Sequence, residues 1–325
     1  MDSAPFRADL ADGPEDVRAF WRRCRDGRRI RVVLWPAEGA KGSVLLFPGR
    51  TEYAEKYGRV ARDLNEAGYA VATVDWRGQG FSDRLTDDAR LGHVASFRDY
   101  QMDVAELVST ARADGLPEPW FLVAHSMGGC IGLRALIEGL PVRKAVFSAP
   151  MWGFRMPFFI WPVAIFLPHF LGPLGVERRY VPGSGPGNYV TEAGFDSNLL
   201  TRDRETFAHM ARQLAEEPGL VLGGPSTGWL GSAIAEHRWL ARMPRPELPV
   251  LTTLGSDERV VSTSAIRRMH VKWPSARLCV IEGARHEVMM EMAAVRTRFM
   301  TDALQFLEAR QMAGAADRGA RQASS

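Results

Sequence analysis

A serine at the junction of a predicted strand and a predicted helix is the residue with the clearest chemical role in this sequence. Ser126 follows the apolar run 120–123 and precedes a glycine-rich segment, 128–132. A serine hydroxyl becomes an effective nucleophile when it is exposed and a base stands beside it. The small residues around Ser126 permit a sharp turn, so the pattern predicts a nucleophile at the apex of a strand–turn–helix unit.

Downstream of this serine, the chain supplies an acid and then a histidine. Asp257 lies just past a predicted buried strand, and His286 lies just past the next predicted strand. Parallel strands place their carboxyl ends at one edge of a sheet, where ligands bind, so we expect Ser126, Asp257 and His286 to meet there. Such a set predicts acyl transfer, with His286 as the base and Asp257 orienting its ring. Glu258 is the rival of Asp257 for the acid position.

The composition is that of a globular domain protein. The chain has 325 residues, of which 46% are hydrophobic and 24% are charged, and its net charge of +3 gives no indication of nucleic-acid binding. Cys24, Cys130 and Cys279 form neither a disulfide framework nor a metal-binding spacing, which fits a reducing compartment. Segment 1–17 lacks the apolar core of a secretory signal, so we expect a cytoplasmic location.

Strands and helices alternate along most of the chain. The predicted strands are 28–35, 43–47, 69–74, 120–123, 144–148, 249–254 and 276–281. This alternation predicts an α/β fold with a mostly parallel sheet and helices on both faces. The pattern stops at 150 and resumes at 249, which indicates a core interrupted by an insertion. The expected units are a first core part (1–150), a cap insertion (151–242), a second core part (243–311) and a disordered tail (312–325).

An apolar stretch within the insertion, 156–176, raises the question of membrane contact. Prolines at 157, 162, 168 and 173 divide it, whereas a membrane span needs about 20 apolar residues in continuous helix. Two compatible interpretations remain: a cap packed on the core, and a cap whose apolar face lines a lipid tunnel or rests on a membrane surface. Later in the insertion, Asp203 is the predicted N-cap of an amphipathic helix.

Four short motifs carry a family resemblance. Residues 124–128 match the G-x-S-x-G nucleophile elbow with alanine at the first position, and 48–52 are similar to an H-G-x-x-E loop with proline for the histidine. Residues 75–82 are similar to a D-x-R-G-x-G-x-S turn, and 224–229 to a Gly-Pro-Ser…Trp cap loop. The chain resembles the lysophospholipase and monoacylglycerol-lipase branch of the α/β-hydrolases, also labelled serine aminopeptidase-like, and especially the bacterial lysophospholipase L2-like proteins.

The resemblance implies an α/β-hydrolase fold with a mainly helical cap, and a serine hydrolase that cleaves carboxylic esters of lysophospholipids or monoacylglycerols. It implies an oxyanion hole made by the backbone N–H groups of Arg50 and Met127. The candidate substrate-binding residues are Glu52, Trp152, Phe154 and Trp229. Neither a metal nor an organic cofactor is expected. The expected partner is a lipid ester, with peripheral membrane contact through the apolar cap.

Several residues near these motifs are assigned structural roles. His125 adjoins the nucleophile, but its ring should point away from Ser126, so we assign it to packing or hydrogen bonding. His93 is expected to make a structural hydrogen bond, and Arg77 to build a turn. The Arg50 guanidinium could meet a phosphate headgroup, with simple solvation as the alternative.

Two other functions stay open from the sequence. An amide hydrolase of the serine aminopeptidase type would need an acidic group for the amino terminus of its substrate, and Glu52 or Glu192 could supply it. The apolar insertion favours an acyl chain instead. The second alternative is a binding protein on a retired hydrolase scaffold, which the intact order of serine, acid and histidine disfavours.

Overall fold

The computed structural model describes residues 2–155 and 176–309. Within these residues one sheet has the strand order β1-β2-β3-β5-β4-β6-β7-β8-β9. Its strands are β1 (Asp2–Ser3), β2 (Arg18–Arg23), β3 (Arg29–Trp35), β4 (Ser43–Phe47), β5 (Ala70–Asp75), β6 (Trp120–His125), β7 (Ala145–Ser148), β8 (Val250–Gly255) and β9 (Ala276–Ile281). Strands β1 to β3 pair antiparallel, β3 also pairs antiparallel with β5, and the pairs from β5 to β9 are parallel.

Helices cover both faces of the sheet, as the alternating pattern predicts. They are α1 (Ala8–Ala11), α2 (Gly58–Glu66), α3 (Tyr100–Ala113), α4 (Ser126–Ile137), α5 (Tyr189–Glu192), α6 (Gly194–Ser197), α7 (Arg204–Glu216), α8 (Thr227–Arg242), α9 (Thr263–Val271) and α10 (Ala293–Glu308). Side chains of α3, α4, α8 and α9 share one hydrophobic core, and those of α2 and α10 share the other.

Alternation along the central strands divides the apolar side chains between these two cores. In β4, Leu45 and Phe47 face the core that contains α4, while Val44 and Leu46 face the core that contains α2. Successive side chains of a strand point to opposite faces. Because both faces are covered, the sequence of β4 is continuously apolar, which is typical of a strand inside a parallel sheet.

The chain leaves the sheet after β7 and returns to it at β8. These two strands are parallel neighbours in the sheet. None of the described residues between them in the chain forms a strand of the sheet. Asp203 caps α7 by accepting a hydrogen bond from the Thr206 N–H at 3.0 Å, as predicted. Most of the apolar stretch 156–176, and the whole predicted tail 312–325, lie outside the described residues. Among the described helices, none is both long enough and apolar enough to cross a membrane.

A buried ion cluster joins the antiparallel end of the sheet to its parallel part. The Arg31 guanidinium donates to both carboxylate oxygens of Glu55, at 2.7 and 2.6 Å, and to Asp75 Oδ2 at 2.8 Å. All three side chains are fully buried. Asp75 also accepts hydrogen bonds from the N–H groups of Ala54 and Phe81, so it fixes the loops that follow β4 and β5.

Removal of this buried cation should cost far more than removal of an exposed one. Arg31→Leu leaves two buried carboxylates without a cation, so we expect the free energy of unfolding to fall by about 3–5 kcal/mol. Arg29→Leu, on the same strand but paired with Asp83 at the surface, should cost below about 1 kcal/mol. Urea unfolding followed by tryptophan fluorescence measures both, and equal losses would contradict this account.

Candidate active site

The nucleophile elbow is built by strain at one residue and by the absence of a side chain at another. Ser126 directly follows β6, begins α4 and has a φ of 48°, a left-handed conformation that non-glycine residues rarely adopt. A Cβ on Gly128 would lie 2.2 Å from the carbonyl oxygen of Phe47, so only glycine allows α4 to approach the end of β4 so closely. The alanine at 124 is accommodated in the buried strand.

The structure brings Ser126 and His286 together. His286 Nε2 lies 3.0 Å from Ser126 Oγ, and His286 Nδ1 lies 2.8 Å from Glu258 Oε2. An ionised carboxylate only accepts hydrogen bonds, so Nδ1 carries the hydrogen and Nε2 is left to accept the proton of the serine. All three side chains are buried. The arrangement is a continuous hydrogen-bond chain from hydroxyl to carboxylate.

The prediction that Asp257 contacts His286 is wrong, and its rival Glu258 takes that position. Asp257 lies at the surface, where its carboxylate pairs with Arg259 at 2.7 Å and with Arg202 at 3.0 Å. Consecutive side chains of a non-helical chain point in different directions, so only one of two adjacent acids can face the histidine. The turn after β8 directs the second acid inward.

Backbone hydrogen bonds hold the Glu258 carboxylate in place. The N–H groups of Val260 and Val261 donate to Glu258 Oε1 at 2.6 and 3.0 Å. Burial by itself would raise the pKa of Glu258, but the His286 ring and these N–H groups outweigh it and hold the pKa below its ordinary value. The lowered pKa favours the charged form of Glu258, which is the form that orients His286.

An apolar cavity of about 370 Å³ opens onto Ser126 and His286. Phe154 and Trp229, both predicted to bind substrate, are part of its wall. Other apolar side chains in the wall are Met151, Val190, Leu199, Leu200, Met210, Leu214, Val260 and Val261. The cavity is thus suited to a hydrophobic group next to the reactive serine.

The structure corrects two of the other predicted substrate contacts. Glu52 lies in the cavity wall, but its carboxylate accepts hydrogen bonds from Lys56 Nζ at 2.7 Å, from the Tyr57 hydroxyl and from the Gly49 N–H. These partners leave Glu52 little capacity for a ligand. Trp152 is outside the cavity wall: it is buried, and its indole N–H donates to the Gly129 carbonyl at 3.0 Å.

The loop after β4 places the Arg50 backbone beside the serine. Gln79 braces this loop, because its amide donates to the Gly49 carbonyl at 2.8 Å and accepts from the Thr51 N–H at 3.3 Å. Within the described part of the chain, the Arg50 N–H has no hydrogen-bond acceptor. Met127, the other predicted oxyanion donor, follows Ser126 in the first turn of α4.

The Arg50 side chain is occupied by the protein itself. Its guanidinium donates to the Gly223 carbonyl at 2.6 Å and lies over the Trp229 ring, with 5.3 Å to the ring centroid. Burial lowers the pKa of Arg50 to about 10. The guanidinium therefore links the loop after β4 to the segment between β7 and β8. Neither the phosphate contact nor the simple solvation considered from the sequence describes this arrangement.

A buried charge network behind the serine was not predicted from the sequence. Lys56 Nζ lies 2.7 Å from both Glu52 Oε1 and Glu287 Oε1. His125 Nδ1 donates to the Ser148 carbonyl at 3.1 Å, and His125 Nε2 approaches Glu287 Oε2 to 3.3 Å in an off-line geometry. Burial would lower the pKa of His125, but the carboxylates of Glu287 and Glu52 outweigh it and raise the pKa.

This network connects the parts of the site. The His125 ring lies 4.8 Å, centroid to centroid, from the His286 ring, and Glu287 follows His286 directly in the chain. Glu52, His125 and Glu287 are also the one group among the described residues with potential metal-ligand atoms close together. The ammonium of Lys56 already provides a cation between the carboxylates of Glu52 and Glu287.

The expected structural roles of the nearby polar residues are confirmed. His93 Nδ1 lies 2.7 Å from Ser226 Oγ, which joins the core to the start of α8. Arg77 donates to the buried Asp103 at 2.9 Å and to Asp26 at 2.7 Å. His125 is buried and hydrogen-bonds to the Ser148 carbonyl.

The sheet order, the strained serine after β6 and the histidine after β9 define an α/β-hydrolase. Residues 38–293 match the family described as serine aminopeptidase, S33. The chain belongs to this family.

Named relatives and solved structures agree with this assignment. Lysophospholipase L2 of Escherichia coli (strain K12) is 33% identical to this chain, and the match covers 86% of each protein. Monoacylglycerol lipase of Mycolicibacterium smegmatis is 26% identical, over 82% of this chain and 88% of the relative. A soluble variant of monoglyceride lipase from Saccharomyces cerevisiae, solved in complex with a substrate analog, has a TM-score of 0.68 at 23% identity. That match covers 94% of this chain and 98% of that structure and establishes the shared fold.

The two adjacent acids provide a matched test of the geometry. Glu258→Gln removes the charge that orients His286, so we expect fluorophosphonate labelling of Ser126 to slow by about a hundredfold or more. Asp257→Asn changes a surface ion pair and should leave the labelling rate within about threefold of wild type. A time course of probe labelling, with samples quenched at intervals, measures the rate for each variant. The reverse ranking of the two variants would show that Asp257 is the acid.

Proposed function

We propose that this protein is a serine hydrolase that cleaves carboxylic esters of lipid-like substrates, lysophospholipids or monoacylglycerols, through an acyl-enzyme intermediate. The observation that carries the proposal is the hydrogen-bond chain Ser126–His286–Glu258 at an apolar cavity of about 370 Å³. The named relatives described above support the same class of substrate.

Acylation follows from the hydrogen-bond directions. Ser126 Oγ attacks the ester carbonyl while its proton passes to His286 Nε2, 3.0 Å away. Glu258 holds the ring through Nδ1–H and stabilises the imidazolium that forms. His286 then gives its proton to the departing alcohol, which leaves the acyl group on Ser126. In deacylation, water attacks this ester while His286 again accepts and returns a proton.

The negative charge that develops on the carbonyl oxygen requires donors already in place. The backbone N–H groups of Met127 and Arg50 are suited to this role, because one follows the nucleophile and the other belongs to the braced loop after β4. Loss of one such donor typically costs about 2.7–4 kcal/mol of transition-state stabilisation. The Gln79 hydrogen bonds on both sides of Arg50 would keep its N–H fixed during the reaction.

We propose that residues 151–242 act as a cap on a core made of 1–150 and 243–311. The contributions of Met210, Leu214 and Trp229 to the cavity wall support this division, because all three belong to the insertion. An acyl chain bound there would lie between the cap and the sheet. Burial of such a chain yields about 0.8 kcal/mol per methylene, which favours lipid esters over short ones.

The amide-hydrolase alternative receives less support from the cavity. A peptide substrate with a free amino terminus needs an available carboxylate, and both carboxylates in the described cavity wall, Glu52 and Glu287, already pair with Lys56. Glu192, the other residue considered for this role, is exposed and lies outside that wall.

Replacement of the nucleophile separates these functions. With Ser126→Ala, we expect kcat/KM for 1-palmitoyl lysophospholipid and for 1-palmitoylglycerol to fall at least about a thousandfold. An unchanged unfolding midpoint would show that the fold persists. A wild-type enzyme that hydrolyses aminoacyl amides and neither lipid would contradict the ester proposal, and turnover that survives Ser126→Ala would contradict the mechanism.

A finer proposal concerns the membrane. The apolar stretch 156–176 would rest on a bilayer surface from the cytoplasmic side and deliver lipid to the cavity. Phe158→Ser/Phe159→Ser/Trp161→Ser should then reduce co-sedimentation with phosphatidylglycerol vesicles at least about threefold, since each apolar side chain contributes to partitioning. Fluorophosphonate labelling in the absence of vesicles serves as the control and should not change. Equal sedimentation of wild type and variant would exclude this segment as the contact.

A further inference from the structure

A short segment between β7 and β8 is hydrogen-bonded to the loop that carries the catalytic histidine. The segment is 198–203, directly before α7, and the loop is 282–292, which connects β9 to α10. Contacts between them join residues that lie as far as 90 positions apart in the chain. We call them the pre-α7 segment and the histidine loop.

The backbone of the histidine loop is held on both sides of His286. Before the histidine, the Arg285 N–H donates to Glu291 Oε1 at 2.8 Å. After it, the Glu287 N–H donates to the Leu200 carbonyl at 2.8 Å. The two chain neighbours of the catalytic base are therefore fixed, one by the Glu291 side chain and the other by the pre-α7 segment.

The carboxylate of Glu291 also reaches the pre-α7 segment. Glu291 Oε2 accepts a hydrogen bond from the Arg202 N–H at 2.9 Å and lies 3.3 Å from the Thr201 hydroxyl. That hydroxyl donates to the Met290 carbonyl at 2.9 Å. One side chain thus joins the backbone before the histidine to the backbone before α7.

Glu291 is a buried carboxylate that backbone N–H groups satisfy. It is 2% exposed. Among the described residues, no cationic side chain forms an ion pair with it; the guanidiniums of Arg202 and Arg285 pair with Asp257 instead. Burial of a charge is costly unless strong hydrogen bonds compensate for it. Because the donors here are backbone groups of two segments, the charge of Glu291 holds these segments together.

The pre-α7 segment is ordered by its own contacts. Asn198 Oδ1 accepts hydrogen bonds from the N–H groups of Leu200 and Thr201, at 2.9 and 3.0 Å. The Arg285 guanidinium donates to the Asn198 and Thr201 carbonyls, at 2.8 and 3.2 Å. Leu199 and Leu200 line the active-site cavity. The segment that holds the histidine loop is therefore also part of the cavity wall.

We infer that Glu291 is a positioning residue for the reaction: it fixes the histidine loop to the pre-α7 segment and so keeps His286 Nε2 within reach of Ser126 Oγ. The inference rests on the mechanism in the proposed function and adds to it a residue that does not touch the reacting atoms. The two atoms lie 3.0 Å apart, and a displacement of about 1 Å can cost about a hundredfold in rate. Glu291 therefore acts on the rate of the chemical step.

Glu291→Gln tests this role because glutamine has nearly the same shape but only one acceptor atom. Either the Arg285 N–H or the Arg202 N–H then faces an amide NH₂ group. We expect fluorophosphonate labelling of Ser126 to slow about tenfold or more, and kcat for p-nitrophenyl butyrate to fall similarly with KM within about twofold of wild type. Labelling should still reach one probe per chain, which would show that every molecule is folded. A folded variant with the wild-type labelling rate would overturn the inference.

Proton NMR reports on the histidine directly. The Nδ1 hydrogen of His286, which Glu258 accepts at 2.8 Å, should give a low-field signal that is assigned by its loss in Glu258→Gln. We expect this signal to shift or broaden in Glu291→Gln. An unchanged signal in the folded variant would contradict a positioning role and leave Glu291 with a structural one.

Glu236→Gln is the matched control. Glu236 is also buried, but it pairs with Arg134 at 2.6 Å and lies outside the cavity wall. Its replacement should lower the unfolding midpoint, since it leaves a buried charge without its partner, and should keep the labelling rate within about twofold of wild type. Equal slowing in the two variants would attribute the effect of Glu291→Gln to general destabilisation and overturn the inference.

Thr201→Val decides the matter if Glu291→Gln does not fold. It removes the hydroxyl between Met290 and Glu291 at nearly constant volume, and we expect labelling to slow about threefold or more, because a single hydrogen bond is lost. The wild-type rate in this variant would then overturn the inference. A wild-type protein that the fluorophosphonate does not label would instead refute the proposed function, which separates the two failures.

Discussion

The close contact between α4 and the end of β4 is the constraint on which the site depends. Gly128 allows the helix to pack against the carbonyl of Phe47, and the chain can enter that helix only through the left-handed conformation of Ser126. The strain at Ser126 is sustained because the elbow lies between two fully buried elements. As a result, the hydroxyl projects above the carboxyl edge of the sheet, where the loops after β8 and β9 can reach it.

Buried ion pairs also hold the residues around the serine in position. The network of Glu52, Lys56, Glu287 and His125 joins the segment after β4, the end of β6 and the segment after β9. Ion pairs that are buried so deeply are costly to desolvate and often contribute little net stability. Their value here is positional: Glu52 holds the Gly49 N–H in the loop that carries Arg50, and Glu287 adjoins the histidine.

Local pattern was sufficient to predict the elements and much of the site. Strands β4 and β9 were predicted with their observed limits, and the helix capped by Asp203 was predicted from its N-cap and apolar spacing. Strands β1 and β2 were missed. β2 is flanked by arginines and only half-buried, so its apolar residues give no clear strand pattern.

The site predictions were correct where no neighbouring residue has a similar side chain. Ser126 is the one serine in β6 and α4, and His286 is the one histidine in the segment between β9 and α10. Phe154 and Trp229 line the cavity as predicted, whereas Trp152, two residues before Phe154, packs into the core. Spacing alone does not distinguish these tryptophan and phenylalanine side chains, because the direction of each depends on the elements that pack around it.

The sequence by itself determined that a serine in a sharp turn, an acid and a histidine follow predicted strands in that order. Each strand and the turn could be predicted because they depend on residues that are neighbours in the chain. Only the tertiary structure decided which of the adjacent acids Asp257 and Glu258 faces the histidine, because the turn after β8 sends one side chain to the arginines at the surface and the other inward. It also decided that Lys56 and Glu287, 231 positions apart in the chain, form one buried ion pair. Such pairings depend on how distant loops converge at one edge of the sheet, which no local pattern encodes.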